Sequence, residues 1–273
     1  MPKIISICNQ KGGVGKTSTA VSLSAFLAIE KTKSLLIDLD PQGNATSGLG
    51  IDKNKLEKSS YHLLLDSAKP SELIVETCVS DLFLVPSNEH LSGAEVELVS
   101  EIGRESRLKK ALASVDPGFE FVFIDCPPSL GLLTINALTA SHSVMIPIQC
   151  EYYALEGLGQ LMKTYNLVRE RLNPDLEIEG IVMTMADYRT NLTQEVIQEV
   201  KKHFGEKVYD TVVPRNIRLS EAPGFGKPIF LYDNHSEGAK KYREFGREFL
   251  IANGRGQGRG TLQCAPTEPA TSS

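Results

Sequence analysis

Apolar residues along this chain fall into two alternating rhythms. Short, almost continuously apolar runs at Ile4–Cys8, Ser34–Asp38, Leu82–Pro86, Phe121–Asp125, Ser143–Ile148, Ile178–Met183 and Val208–Val213 read as strands. Between most of them lie stretches with helical spacing, the first from about Lys16 to Ile29. Strands that lack a polar face must be covered on both sides, so the alternation predicts an α/β fold, a mainly parallel twisted sheet with helices on both faces. Ligands of such sheets bind beyond the carboxyl ends of the strands, and candidate chemistry is therefore sought just after each run.

Two stretches break the rhythm. Ile51–Glu76 is charged and irregular and predicts a surface excursion with one short helix around Ser60–Ser67. From Asn253 the chain turns to Gly-Arg-Gly-Gln-Gly-Arg-Gly and then to Thr, Pro, Ser and Ala, too poor in large apolar side chains to pack. The expected organisation is one domain over 1–252 and a disordered tail over 253–273. Just before the tail, a helix over about Ser236–Ala252 places Tyr242, Phe245, Phe249 and Leu250 at helical spacing, a stripe that reads as core-facing.

Composition narrows the class. At 273 residues and 41% hydrophobic the chain can bury one sizeable core. Its five cysteines form no C-x-x-C pair and its five histidines no metal-ligand spacing, so neither a disulfide framework nor a zinc site is expected. No leader-like apolar segment opens the chain and no run is long enough to span a bilayer, which predicts a cytoplasmic protein without a membrane partner. Net charge is −5, but unevenly spread: residues 1–188 carry 16 Lys+Arg against 24 Asp+Glu, and 189–247 carry 11 against 8. A locally basic C-terminal third on an acidic body could present one cationic patch.

The densest chemical signal follows the first strand. Lys11-Gly12-Gly13-Val14-Gly15-Lys16-Thr17-Ser18 stands between that strand and the first helix. Glycines let backbone N–H groups turn inward on anionic oxygens, and the helix N-terminus adds its partial positive charge there. In such a loop Lys16 reaches the β- and γ-phosphates of a nucleotide and Thr17 offers its hydroxyl to Mg²⁺. The spacing departs from G-x-x-x-x-G-K-[ST] because Gln10 replaces the first glycine, and a second cation, Lys11, stands beside it without an evident purpose.

Turnover also needs carboxylates. Asp125 ends an apolar strand, the placement from which metal is held, and Cys126-Pro127-Pro128-Ser129-Leu130-Gly131 after it reads as a switch loop. Asp40, just past the second strand, is the candidate for positioning an attacking water. Asp38, two residues earlier on the same side, reads as a turn cap or as support for Lys16 or the metal water.

Together with Asp38-Leu39-Asp40-Pro41-Gln42-Gly43-Asn44, Asp125-Cys126-Pro127-Pro128 and Arg218-Leu219-Ser220-Glu221-Ala222-Pro223, the loop resembles that of the ParA partition ATPases of the short chromosomal type called Soj, over about residues 3–250. The resemblance implies a deviant-Walker ATPase using ATP and Mg²⁺, which forms an ATP-bound sandwich homodimer in which Lys11 crosses to the partner's phosphates. It implies nucleotide contacts at Lys11, Gly12, Gly13, Val14, Gly15, Lys16, Thr17 and Ser18, with Pro214 and Asn216 on the adenine side. It further implies catalytic roles for Lys11, Lys16 and Asp40, and metal contact at Thr17 and Asp125. Arg189 and Arg218 match positions that contact duplex DNA nonspecifically, and Lys201, Lys202, Lys227, Lys240 and Lys241 could widen that patch. The implied cycle is slow hydrolysis on the nucleoid, accelerated by a ParB-type centromere-binding partner.

The alternative is a MinD-like membrane or cargo-positioning ATPase, which would need a basic amphipathic helix at its end. A nitrogenase-reductase-like iron protein would need a second cysteine in a loop comparable to that of Cys126, and a tyrosine kinase a terminal tyrosine cluster. The chain starts only a few residues before its first strand, so no N-terminal operator-binding domain is expected.

Overall fold

Eight strands form one sheet in the order β3-β4-β2-β5-β1-β6-β7-β8. They are β1 (Lys3–Ile7), β2 (Ser34–Asp38), β3 (Val75–Glu76), β4 (Leu82–Val85), β5 (Phe121–Asp125), β6 (Ser143–Gln149), β7 (Glu177–Ala186) and β8 (Val208–Pro214). The computed structural model describes residues 1–151 and 154–255. Every neighbouring pair is parallel except β3 with β4. The mainly parallel sheet expected from the strand pattern is therefore present, as are all seven anticipated strands. The eighth, β3, lies in the stretch read as irregular, where only Val75 and Glu76 pair with Leu84 and Phe83. That stretch also holds two short helices, Ser60–Leu64 and Pro70–Leu73, rather than one.

Each strand's unbroken apolar run divides its residues between two cores. Leu35, Ile37, Val122, Ile124, Val144 and Ile146 join the buried cluster on one face. Their immediate neighbours Leu36, Phe121, Phe123 and Met145 join the cluster on the other. Successive side chains of a strand point to opposite faces, so a strand apolar at every position requires both layers of helices.

The first helix, Lys16–Ile29, packs in the second cluster with the last helix, Glu237–Ala252. Tyr242, Phe245 and Phe249 are fully buried there, as their spacing predicted, and the Tyr242 hydroxyl shares a 3.1 Å hydrogen bond with Thr19. Burying each such ring contributes about 1.5–3 kcal/mol, so this stripe belongs to the core. Ser236 caps the helix by accepting from the Ala239 N–H at 3.2 Å. At its other end Asn253 accepts from Lys3 Nζ at 2.7 Å and donates to Glu179 at 2.9 Å. The tail expected from 253 onward thus begins with an anchored residue, and its remainder from 256 lies outside the described residues.

Register sets the level of the loops. Ile7 and Asp38 both pair with Asp125, so β1, β2 and β5 end side by side. The segments that leave them, 8–15, 39–43 and 126–131, consequently share one end of the sheet.

Candidate functional site

The glycine-rich loop is tied down before it turns. Asn9 donates from Nδ2 to the Pro147 carbonyl at 2.7 Å and accepts the Lys11 N–H at 3.0 Å. Gly15 adopts φ +85°, a left-handed conformation that opens the helix and that a side chain would strain. The preceding carbonyl, of Val14, accepts from the buried Thr184 hydroxyl at 2.8 Å, which fastens the loop to β7. Lys16, 6% exposed, curls back so that Nζ donates to the Lys11 carbonyl at 3.1 Å. Burial lowers its pKa, while Asp125 and Asp40 oppose that shift. An ammonium held this way beside inward-facing backbone donors can receive a polyanion.

Three carboxylates converge beneath it. Asp38, fully buried, accepts on Oδ2 from the Thr46 N–H at 2.8 Å and the Thr46 hydroxyl at 2.7 Å, and on Oδ1 from the Asp40 N–H at 3.2 Å. Burial pushes its pKa up to about 6 against these hydrogen bonds. Its partners are the turn around Asp40 and the next helix, so Asp38 braces Asp40 rather than Lys16. Asp40 itself accepts the Gln42 N–H at 2.9 Å. The turn closes at Gly43, φ +58°, where an added Cβ would stand 2.7 Å from the Ser87 carbonyl oxygen.

Asp125 differs from the other two. It is fully buried, yet neither carboxylate oxygen has a hydrogen-bond partner. Desolvation raises its pKa well above the carboxylate range, the Asp38 charge adds to this, and the nearby Thr17 hydroxyl and Lys16 ammonium counteract it. Leaving a buried carboxylate unpaired is strongly unfavourable, and an arriving cation relieves it. No group of three or more His, Cys, Asp or Glu among the described residues could hold a metal alone. Magnesium is bound through one or two carboxylates together with substrate phosphates, and Asp125 beside the Thr17 hydroxyl offers one such carboxylate.

A cavity of about 580 Å³ opens over these groups, lined by loop residues, Lys16, Thr17, Ser18 and Asp40. Its apolar wall includes Met185, Leu219, Pro223 and Ile229. Met185 has φ +52°, uncommon for a residue with a side chain and a mark of local strain at the cavity. Pro214 and Asn216, expected on the adenine side, are not among the lining residues. Pro214 pairs with Ala186, one residue from Met185, and Asn216 caps the helix Ile217–Glu221 by accepting the Arg218 N–H at 3.0 Å.

The Lys11 side chain is engaged by a carboxylate of its own chain. Its Nζ lies 2.9 Å from Glu151 Oε2, while Arg215 Nη2 lies 3.4 Å from Glu151 Oε1 and Gln149 donates to that same oxygen. Glu151 and Met185 were not anticipated. Glu151 is separated from Lys11 by 140 positions, and methionine carries no signal for positive φ.

Arg189 and Arg218 are not among the lining residues: Arg189 stands in the turn after β7, and Arg218 in the helix Ile217–Glu221 beside the lining residue Leu219. Arg189 forks onto Asp187, Nε to Oδ1 at 2.8 Å and Nη2 to Oδ2 at 2.5 Å. Arg218 reaches Glu221 at 2.9 Å and Asp233 at 3.5 Å.

A strand–glycine loop–helix unit, strand-end carboxylates and a parallel sheet covered on both faces define a P-loop nucleoside triphosphatase fold. Comparison with known proteins narrows this. The family described as AAA domain matches residues 2–178. The chain is 59% identical over 254 residues to the sporulation initiation inhibitor protein Soj of Bacillus subtilis, covering 93% of this chain and 100% of that protein. It is 52% identical over 248 residues to the chromosome partitioning protein ParA of Myxococcus xanthus, covering 91% and 88%. Among solved structures, cobyrinic acid a,c-diamide synthase from Mycobacterium smegmatis with bound ADP and magnesium superimposes with a TM-score of 0.82 at 40% identity, covering 94% and 97%. The chain belongs to the Soj/ParA family of chromosome-partitioning ATPases.

Proposed function

We propose that the protein is a DNA-partition ATPase that binds ATP with Mg²⁺ between the glycine-rich loop and the strand-end carboxylates. The observation that carries this reading is Asp125, buried without a partner beside Lys16 and Thr17. Thr17 and Asp125 would hold magnesium, which when bound supplies positive charge against the phosphate oxygens. Gly12, Gly13, Val14, Gly15, Ser18 and Lys16 bind and orient the triphosphate, and Asp40 orients water for attack on the γ-phosphate. Asp38 keeps Asp40 in place through the turn it caps. Pro214 and Asn216, which do not line the cavity, are assigned to the adenine side by the family resemblance alone.

Lys11 completes the site of a second copy in an ATP-bound sandwich homodimer, and must first leave Glu151. The dimer binds duplex DNA nonspecifically through Arg189 and Arg218, so the protein is cytoplasmic and nucleoid-associated. A ParB-type centromere-binding protein accelerates an intrinsically slow hydrolysis and releases the dimer. The family membership supports this cycle. Among the described residues no helix is long and apolar enough to cross a membrane.

The test is ATP turnover with and without duplex DNA, run beside DNA retention in ATP and in ADP at low salt. Slow turnover with retention only in ATP is expected. Turnover without retention would sink the DNA half of the reading, and liposome flotation would then test a MinD-like role.

A further inference from the structure

The cations proposed to meet DNA are already occupied. Of the seven basic residues singled out around Arg189 and Arg218, six face a carboxylate within 4.0 Å: Arg189 with Asp187, Arg218 with Glu221, Lys201 with Asp210, Lys202 with Glu199, Lys240 with Glu237 and Lys241 with Glu244. The lysine pairs are single contacts at the surface, three within a helix and one, Lys201 with Asp210, from a helix to β8. The two arginine pairs are built differently.

Asp187 accepts three donors of Arg189: the backbone N–H at 3.1 Å and two guanidinium nitrogens. These hold the Asp187 carboxyl down at about 2. Glu221 accepts from Arg218 Nη1 at 2.9 Å and from the Tyr232 hydroxyl at 3.0 Å, so its carboxylate is fixed by a second group. Yet both arginines are exposed, Arg189 at 88% of its side chain. A bidentate guanidinium fork fits a carboxylate and a phosphate equally well, and an exposed pair is only weakly held. A phosphate arriving at either arginine therefore takes a seat held by an anion that is easily displaced.

We infer that Asp187 and Glu221 set the DNA affinity of this surface, because each makes phosphate binding an exchange of anions at an arginine instead of the neutralisation of a free cation. The inference rests on the reading of Arg189 and Arg218 as DNA contacts. It deepens that reading by making the surface weak by construction, as a protein that must repeatedly leave DNA requires. A free arginine adds its full charge to the number of phosphates neutralised; one still shared with a carboxylate adds less.

The experiment uses the full chain with ATP and Mg²⁺ and measures affinity for a duplex of mixed sequence across a salt series. Asp187→Asn keeps an oxygen to accept the Arg189 N–H, and Glu221→Gln keeps one for Tyr232, so each removes charge while retaining the local geometry. The expected result is tighter binding, about 3- to 8-fold per substitution near 0.1 M salt, with the slope of log K against log salt steeper by up to about 0.9. Glu72→Gln serves as the control. Glu72 pairs with Lys58 at 2.8 Å just before β3, at the opposite edge of the sheet, and its loss should leave affinity nearly unchanged.

Wild-type retention with no gain in Asp187→Asn and Glu221→Gln, or a gain no larger than that of Glu72→Gln, overturns the inference alone. Retention that survives Arg189→Glu with Arg218→Glu overturns both it and the assignment of the arginines. Loss of retention in that double variant, with gain in the two neutral ones, supports both.

Discussion

Where β1, β2 and β5 end, ionisable side chains are buried and converge, whereas at Arg189 and Arg218 they are exposed and already paired. Asp38, Asp40 and Asp125 are at most 6% exposed, and Asp125 has only the nearby Thr17 hydroxyl and Lys16 ammonium to counter its burial. Arg189 and Arg218 stand in water with carboxylates in hand. Buried, unmatched charge stores a large preference for one kind of ligand, here a cation with its polyanion. Solvated, matched charge stores little, and salt screens it. One end of the molecule is thus suited to commitment and the other to reversible contact.

The largest break of this contrast is Asp40→Ala. Its loss should lower ATP turnover by about 100-fold or more, while ATP-dependent dimers, measured by sizing, persist. Rapid hydrolysis by that variant would remove Asp40 from its role.

Asp125→Asn sharpens the contrast through pH. The folded protein holds this carboxyl's pKa above its unfolded value, so between the two the folded state binds more protons and stability falls as pH rises. Replacing it by a neutral amide should stabilise the nucleotide-free protein by about 1–3 kcal/mol at pH 7, a gain that shrinks toward pH 4. Thermal melts across pH would read this out, and the same variant should lose its stabilisation by magnesium and nucleotide. Equal melting temperatures at every pH would mean that the Asp125 charge is not unfavourable in the fold.

Glu151→Gln tests a site that lies between the two extremes. It weakens the hold on Lys11 and Arg215. ATP-dependent dimerisation should then occur at several-fold lower protein concentration, a shift of up to about 1 kcal/mol. In a Lys11→Ala background the same change should have no effect on assembly.

Met185→Gly is the smallest effect. Relief of a left-handed backbone offsets the extra entropy of glycine and should leave about 0.5–1 kcal/mol of net stabilisation. Nucleotide affinity should weaken as the cavity loses that wall.

The parts visible from sequence are those encoded locally. Lys16–Ile29, Ser34–Asp38 and Phe121–Asp125 match the expected bounds to the residue, because apolar runs there meet abrupt turn or loop chemistry. The glycine loop and the two strand-end aspartates were legible for the same reason. What escaped is encoded by distance. β3 consists of two residues whose pairing depends on where β4 lies. The Glu151 cluster joins Lys11 and Arg215 across the chain, and Asp38 finds its partner in Thr46 only once the turn after β2 has folded. Asp187 and Arg189 are only two positions apart, yet an acid near a base is too ordinary a pattern to stand out.

The bond from Thr184 to the Val14 carbonyl ties the phosphate loop to β7, and β7 runs on within five residues to Arg189. Along that short span Ala186 pairs with Pro214 and accepts the Arg215 N–H at 3.1 Å. The glycine-rich loop and the turn that carries Arg189 are consequently fastened to one and the same strand, so the geometry of one is set by an element that also sets the other.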